Sequence, residues 1–104
     1  KFLLQKRELA GKYSEFLKDS SLNFFTEPEG CKSNYWLNTV ICENNQQRDI
    51  LLKEMNEKNI MVRPIWKLMN ELPMYSDCLR DDLKNSKWLE ERIINLPSSV
   101  ILNK

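Results

Sequence analysis

The chain has 104 residues, of which 41% are hydrophobic and 30% are charged, a composition typical of one globular domain rather than a disordered chain. Sixteen basic and fifteen acidic residues leave a formal net charge of +1, which disfavours nucleic acid as a partner. No apolar run approaches the roughly 20 residues that cross a bilayer. We therefore expect a cytoplasmic protein with no membrane association.

The residues able to bind metal or act as nucleophiles are few. The sequence contains no histidine and three widely spaced cysteines, Cys31, Cys42 and Cys78. Zinc sites and Ser-His or Cys-His nucleophiles depend on imidazole or on paired thiolates. We therefore expect no metal site and no catalytic residue in this chain, and we interpret the cysteines as small core or surface residues.

The chain opens with helical periodicity. Apolar residues between Phe2 and Leu17 recur at helical spacing, with charged residues mostly on the other side, and they predict an amphipathic helix. Because no N-cap residue precedes it, we expect the sequence to begin inside a longer helix. Residues 22–26 then predict a short strand, and residues 27–30 predict a turn that contains proline and glycine.

The strongest strand pattern covers residues 35–42, which are rich in aromatic and β-branched side chains. Alternation places Trp36, Asn38, Val40 and Cys42 on one face of this strand. Both faces carry apolar groups, which favours a largely buried strand.

A second helix is predicted from Asn44 or Asn45 to about Lys58, because either asparagine can cap its first turn. Asn59 can end the helix in a left-handed conformation. The apolar residues of this helix are predicted to share one side: Ile50, Leu51, Leu52 and Met55.

Residues 60–65 predict a further apolar strand that contains Pro64. Because proline has no amide hydrogen, it is confined to a sheet edge or a strand end. Residues 68–78 have no clear period and predict an irregular surface segment, the kind of segment that often carries function.

A third helix is predicted from Asn85 or Ser86 to about Arg92, with Trp88 facing the core. Residues 93–96 then predict an extended segment before a proline. The resulting order of α, β, β, α, β, loop, α and β predicts an α+β fold, with a small antiparallel or mixed sheet and helices mainly on one face.

Arg63 and Trp66 lie at the end of the predicted strand 60–65 and just before the irregular segment, a suitable place for a binding edge. Arginine offers a planar set of donors for phosphate or carboxylate, and tryptophan offers a flat face for a sugar or base. The alternative is an exposed arginine beside a partly buried tryptophan with no ligand.

Four segments of the sequence together resemble the C-terminal region of DegT/DnrJ/StrS-type aminotransferases. They occur in the order of that family and extend over nearly the whole chain: SNYWLNTVI at residues 33–41, Arg48-Asp49 in the second helix, NIMVRPIWKLMNELPMY at residues 59–75, and WLEERIINLPSSV at residues 88–100. The RPIW and LPMY segments are most similar to enzymes that act on routes to legionaminic acid, bacillosamine or perosamine.

The resemblance implies that residues 1–104 form the small C-terminal domain of a fold-type I aminotransferase. On that basis we expect pyridoxal phosphate (PLP) and its Schiff-base lysine to belong to a large domain that is absent from this chain, which alone would be inactive. The implied reaction moves an amino group, commonly from glutamate, to C4 of a nucleotide-linked 4-keto-6-deoxy sugar for surface polysaccharide or glycan. Relatives of this kind are homodimers.

The sequence departs from the family at one motif. Many relatives carry HY-x-P-x-H after the predicted strand 60–65, whereas this chain has Ile65 and Trp66 at the first pair, Leu68 at the proline and Asn70 at the second histidine. An asparagine amide can donate or accept hydrogen bonds in a similar position. The residues that we expect to line the substrate side are Arg63, Trp66 and Asn70, with Tyr35 a weaker candidate.

Two alternatives remain open at this stage. The chain could be an independent α+β binding or interaction module, in which case a natural start codon would lie directly upstream of Lys1. It could also belong to a PLP-dependent sugar dehydratase, since some relatives use the same cofactor for dehydration after replacing the lysine.

Overall fold

The computed structural model describes residues 1–100, which form an α+β fold with three α-helices and a four-stranded antiparallel sheet. The predicted fold class is therefore confirmed, and every strand pair is antiparallel. The elements, in chain order, are α1 (Phe2–Leu17), β1 (Asn23–Phe24), β2 (Asn38–Ile41), α2 (Asn45–Glu57), β3 (Arg63–Pro64), two short 3₁₀ turns (Met69–Glu71 and Pro73–Tyr75), α3 (Lys84–Glu90) and β4 (Ile93–Leu96).

The strands are arranged in the order β1-β2-β4-β3, which makes β2 and β4 central. Val40 of β2 lies opposite Ile94 of β4, and Ile94 lies opposite Pro64 of β3, so these three residues share one face of the sheet. Leu17 of α1 and Met55 of α2 line a common apolar cavity of about 370 Å³ with Val40 and Ile94. Helices α1 and α2 therefore cover the same face, as predicted.

The ends of α1 extend past the sheet. Ala10 and Leu17 are buried, but Phe2 is 58% exposed and Phe16 is 84% exposed. A helix of 16 residues is about 24 Å long, whereas a strand of four residues is only about 13 Å long. The predicted helix is confirmed, and the sheet covers only part of its apolar side. No helix within residues 1–100 has the length and apolar character needed to cross a membrane.

Helix α2 begins and ends as predicted. The Asn44 side chain accepts a hydrogen bond from the Gln47 amide at 2.8 Å, which is the expected N-cap. Asn59 has a left-handed φ of 63° just after the helix. Leu51, Leu52 and Met55 pack on the core, but Ile50 is 50% exposed, which corrects its predicted place on the apolar side.

Three predicted strands are shorter in the structure. Strand β1 covers two residues of the predicted 22–26, and β3 covers two of the predicted 60–65. Strand β2 begins at Asn38 instead of Tyr35, because Tyr35 has φ 48° and the backbone bends before the ladder starts. Asn38, Val40 and Cys42 are buried as predicted, whereas Trp36 is 64% exposed. Pro64 lies in an edge strand, as predicted.

Helix α3 begins at Lys84, one residue before the predicted start, and ends at Glu90. Trp88 does not face the core as predicted, because 47% of it is exposed and the Arg92 guanidinium lies over its ring at 4.3 Å from the centroid. The interaction is a cation–π contact at the surface. Strand β4 follows at Ile93–Leu96, where an extended segment was predicted, and supplies the buried Ile93 and Ile94.

Candidate substrate-binding surface

Arg63 lies on the sheet face opposite to the one that α1 and α2 cover. It pairs with Asn95 of β4, and Asn95 pairs in turn with Thr39 of β2, so the three residues form a polar row across three strands. The Thr39 hydroxyl donates to Asn95 Oδ1 at 2.8 Å, which orients the middle of the row. We call this side of the sheet the polar face.

The Arg63 side chain is exposed and its charge is not neutralised by a described acidic residue. Its guanidinium donates to the Val62 carbonyl at 3.1 Å, which leaves most of its five N–H groups available. Arg63 therefore presents a fork of donors to solvent at the edge of the sheet, where it can bind a phosphate or carboxylate.

Trp66 follows β3 and is 72% exposed. Its ring contacts the ring of Trp36, which precedes β2, with a centroid separation of 6.4 Å and an interplanar angle of 54°. Trp36 is exposed before β2, which corrects its predicted place in a buried strand, and its contact with Trp66 was not predicted from the sequence. Trp36 lies two residues before the start of β2 and directly after Tyr35, whose left-handed backbone turns the chain out of the ladder.

Asn70 lies in the first 3₁₀ turn and is half-buried. Its Oδ1 atom is inaccessible to solvent and accepts no hydrogen bond from any described residue. It lines a cleft of about 340 Å³ between the two 3₁₀ turns and the start of α3. The Leu68 amide donates to Glu90 Oε2 at 2.9 Å, which fixes the entrance of this segment on α3. The Asn70 side chain therefore lines the cleft while its oxygen is buried without a donor among the described residues.

Tyr35 is half-buried and is already held by other protein groups. Its hydroxyl accepts a hydrogen bond from the Glu27 amide at 3.0 Å, and the Arg7 guanidinium carbon lies 5.5 Å from its ring centroid. Tyr35 also lines a cavity of about 310 Å³ that includes Thr39 of the polar face. Thr39 and Arg63 lie about 10 Å apart across two strand spacings, and Tyr35 lies on the same side of the sheet, four residues before Thr39.

An ion pair between Arg7 and Glu27 fixes the loop before Tyr35 to helix α1. The guanidinium donates to both carboxylate oxygens, at 2.6 Å and 3.0 Å, and the Ser33 amide donates to Glu27 Oε2. The hydrogen bonds from Arg7 and then from Ser33 lower the pKa of Glu27 to about 2. The same pair raises the pKa of Arg7. This network fixes the loop that contains Glu27 and Ser33. It thereby positions Tyr35, whose hydroxyl accepts from the Glu27 amide.

The four predicted site residues are not in mutual contact. Within residues 1–100, no hydrogen bond, ion pair or ring contact joins any two of Arg63, Trp66, Asn70 and Tyr35. Arg63 and Tyr35 share the polar face, Trp66 pairs with Trp36, and Asn70 lies in its own cleft. Within residues 1–100, the structure therefore does not bring the four residues together at one point.

The lysines of residues 1–100 do not provide a place for PLP. That cofactor needs a lysine amine for its Schiff base and a cluster of amides for its phosphate. Lys6 is the one lysine in this range that is not exposed, and its Nζ donates to the Ser98 carbonyl. The two glycines are far apart, in helix α1 and in the loop after β1. Residues 1–100 therefore lack a glycine-rich cluster of amides of the kind that holds the phosphate of PLP.

The thiols and acidic groups are dispersed. Cys42 is buried in the core, whereas Cys31 and Cys78 are exposed, which confirms their interpretation as core or surface residues. Burial raises the pKa of the Cys42 thiol. Within the described part of the chain, no group of three His, Cys, Asp or Glu residues is arranged to hold a metal ion.

Comparison with known proteins identifies the family. The sequence profile of the DegT/DnrJ/EryC1/StrS aminotransferase family matches residues 1–104, the whole chain. The chain belongs to this family. The resemblance noted in the sequence is thereby confirmed at the level of the family.

Individual relatives extend this result. The chain is 27% identical over 99 residues to the GDP-perosamine synthase of Escherichia coli O157:H7, a match that covers 93% of this chain and 26% of the relative. A DegT DnrJ EryC1 StrS aminotransferase from Brucella abortus has a similar fold, with a TM-score of 0.80 and 24% identity. The match covers 92% of this chain and 26% of that one.

A third relative is a dehydratase. The Escherichia coli GDP-4-keto-6-deoxy-D-mannose-3-dehydratase, solved with bound hydrated PLP, matches this chain with a TM-score of 0.71 and 19% identity. The match covers 93% of this chain and 26% of that one. The chain therefore spans about a quarter of the length of the relatives that it matches. The fold of these residues is common to aminotransferases and a dehydratase, and it does not distinguish the two reactions.

Proposed function

We propose that this chain is the small C-terminal domain of a PLP-dependent aminotransferase that acts on a nucleotide-linked sugar. The observation that carries the proposal is the match of nearly the whole chain to about a quarter of a GDP-perosamine synthase, within a family matched over residues 1–104. In the complete protein, a large domain would supply the lysine and bind PLP. The cytoplasmic location and the homodimeric state stay predictions.

The proposed reaction transfers an amino group from glutamate to C4 of a nucleotide-linked 4-keto-6-deoxy sugar, for surface polysaccharide or glycan. Glutamate becomes a 2-oxo acid, and the sugar carbonyl becomes an amine. When bound, PLP supplies the electron sink for the proton shifts of both half-reactions. The residues of this chain bind and orient the sugar nucleotide so that its carbonyl is held at the reacting position.

Arg63 is proposed to bind the diphosphate of the substrate. Its guanidinium is exposed, lies on the polar face and forms no salt bridge with a described residue. Phosphate oxygens accept two parallel hydrogen bonds from such a fork, and the pairing is charge-assisted. Trp66, three residues further along the chain, offers an exposed ring for the adjoining base or sugar.

Asn70 is proposed to bind a hydroxyl of the sugar. Its side chain lines the cleft beside the two 3₁₀ turns, and an amide there can donate a hydrogen bond to a sugar hydroxyl. This replaces the contact that a histidine of the HY-x-P-x-H motif makes possible in relatives. Tyr35 contributes less directly, because its hydroxyl already accepts from the Glu27 amide.

The test is product analysis with the full-length gene product. Purified protein with PLP and glutamate would be incubated with GDP-, UDP- and dTDP-linked 4-keto-6-deoxy sugars, and the products identified by mass spectrometry. We expect one sugar to gain nitrogen from ¹⁵N-labelled glutamate. Loss of water from the sugar without gain of nitrogen would establish the dehydratase alternative. No change in any sugar would favour an independent binding module.

Substitution would then test the residues. Arg63→Ala should raise KM for the sugar nucleotide about 10- to 150-fold, because a hydrogen bond to a charged group contributes about 1.5–3 kcal/mol. Lys53→Ala is the matched control, since it removes an exposed cation from helix α2, away from the polar face. An equal rise of KM in both variants would show that net charge alone matters and would contradict the assignment of Arg63.

A further inference from the structure

We infer that Trp36 and Trp66 together form the place where the nucleobase of the substrate stacks. This inference rests on the proposed function. It adds the Trp36 ring, from a separate segment, to Trp66, and it names the nucleobase as the part of the substrate that both rings bind. The two side chains are 64% and 72% exposed, although tryptophan usually buries most of its surface. Their ring centroids are 6.4 Å apart and their planes meet at 54°, so the two rings form one V-shaped exposed aromatic surface, which we call the notch.

The two rings have apolar faces and hydrogen-bond donors that the described residues do not use. Neither indole N–H donates to any group within residues 1–100. Trp88, by contrast, has its ring covered by Arg92 at 4.3 Å. A nucleobase presents a flat π-face for stacking and carbonyl oxygens that accept from an indole N–H. A hexose ring packs on an indole face only through its C–H groups, whereas a base also stacks through its π-system, so the base is the occupant that we infer.

The backbone on either side of the notch is anchored. The Trp36 amide donates to Asn34 Oδ1 at 3.0 Å, and the Tyr35 amide donates to Ser33 Oγ at 3.0 Å. The Ser33 amide is in turn bound by Glu27, whose carboxylate is paired with Arg7 of α1. An exposed ring on a fixed backbone loses little conformational entropy when a ligand binds. The loop is therefore built to present Trp36 to solvent.

The charge around Trp66 fits a nucleoside diphosphate. Residues 59–70 contain Arg63 and Lys67 and no acidic residue. Both cations are exposed, and neither forms a salt bridge with a residue that the structure describes. Arg63 precedes Trp66 by three residues, so a base that stacks in the notch can place its diphosphate beside these cations.

The test is calorimetric titration of the full-length gene product with GDP, UDP and dTDP. Leucine keeps apolar bulk but removes the π-face, so Trp36→Leu and Trp66→Leu are the informative variants and Trp88→Leu is the matched control. Stacking on one base contributes about 1–3 kcal/mol. We therefore expect each informative variant to bind the preferred nucleoside diphosphate about 5- to 100-fold more weakly, with no change for Trp88→Leu.

The double variant should lose less affinity than the product of the two single losses, because both rings contact the same base. Trp36→Phe, which keeps a smaller ring, should bind with intermediate affinity and provides a test if Trp36→Leu fails to fold. Unchanged affinity in Trp36→Leu and Trp36→Phe, with a lowered thermal unfolding midpoint, would overturn the inference by showing that other polypeptide covers the ring.

Three further outcomes distinguish the base assignment, a sugar at the same place and the proposed function itself. Weaker binding of methyl α-L-fucoside by Trp36→Leu, with unchanged binding of nucleoside diphosphates, would overturn the base assignment in favour of the sugar. Normal binding of nucleoside diphosphates by every variant would overturn the inference and leave the proposed aminotransferase intact. If the unsubstituted protein bound none of the three nucleotides, the inference and the proposed substrate class would both be wrong.

Discussion

Replacing Ile94 by alanine tests the position of the core most sharply. Ile94 is 1% exposed, lies in central strand β4 and packs with Cys42 and Val62. The change removes a methyl and an ethyl group, and the transfer free energy of these carbons is about 2.4 kcal/mol. Because Ile94 already lines a cavity of about 370 Å³, the change enlarges an existing void. We expect a total loss of about 3 kcal/mol.

Urea unfolding of the chain measures this loss. With a slope of about 1.5 kcal/mol/M, the midpoint should fall by about 2 M at unchanged slope. Ile50→Ala is the control, because Ile50 is 50% exposed on α2 and alanine favours the helix. We expect it to cost under about 1 kcal/mol. The account of the core would be refuted by equal losses for the two variants, or by a loss below about 1 kcal/mol for Ile94→Ala.

Three other predictions follow from single contacts. The carboxyl of Glu27 has a folded pKa of about 2 against an ordinary 4.5, so its contribution to stability is complete above pH 4.5 and is lost as pH falls towards 2. Thermal midpoints across that range should fall less steeply in Glu27→Gln, and parallel curves would contradict this. Thiol labelling should modify two cysteines rapidly and buried Cys42 only on unfolding; rapid reaction of all three would disprove its burial. Asn44→Ala should cost about 1 kcal/mol in urea unfolding through loss of the N-cap, and Asn45→Ala, one residue inside the helix, should cost less.

The sequence predicted the local features of the fold well where one residue decides the conformation. Asn44 caps α2 because its side chain can accept from an orphan amide, and Asn59 ends the same helix because asparagine tolerates a left-handed backbone. Pro64 is confined to the sheet edge by its missing amide hydrogen. These rules act within a few residues, so they can be read from the sequence directly.

The errors came from features that depend on distant partners. Tyr35 looks like a strand residue, but its hydroxyl and ring are held by Glu27 and Arg7, and its backbone is left-handed. The ladder therefore starts later, and Trp36 is exposed instead of buried. Trp88 was assigned to the core by helical spacing, which cannot foresee the Arg92 guanidinium over its ring.

The candidate site was predictable where neighbouring residues decide exposure, and it was not predictable where distant segments meet. An arginine and a tryptophan after an edge strand indicate an exposed binding edge, and Arg63 and Trp66 are exposed there. The pairing of Trp66 with Trp36 required the tertiary fold, because 30 positions separate them along the chain. The buried, unpaired Oδ1 of Asn70 likewise appears only once the 3₁₀ turns fold against the start of α3.

The most direct test of the proposed function is the absorbance spectrum of the full-length gene product, purified with PLP and then mixed with glutamate. An aminotransferase should show a visible band of protein-bound cofactor that glutamate bleaches, and a 4-keto-6-deoxy sugar nucleotide should restore it. Arg63→Ala should retain the bleaching by glutamate but should need more sugar nucleotide for the recovery. A protein with no cofactor band, or with a band that glutamate leaves unchanged, would contradict the assignment of this chain to an aminotransferase.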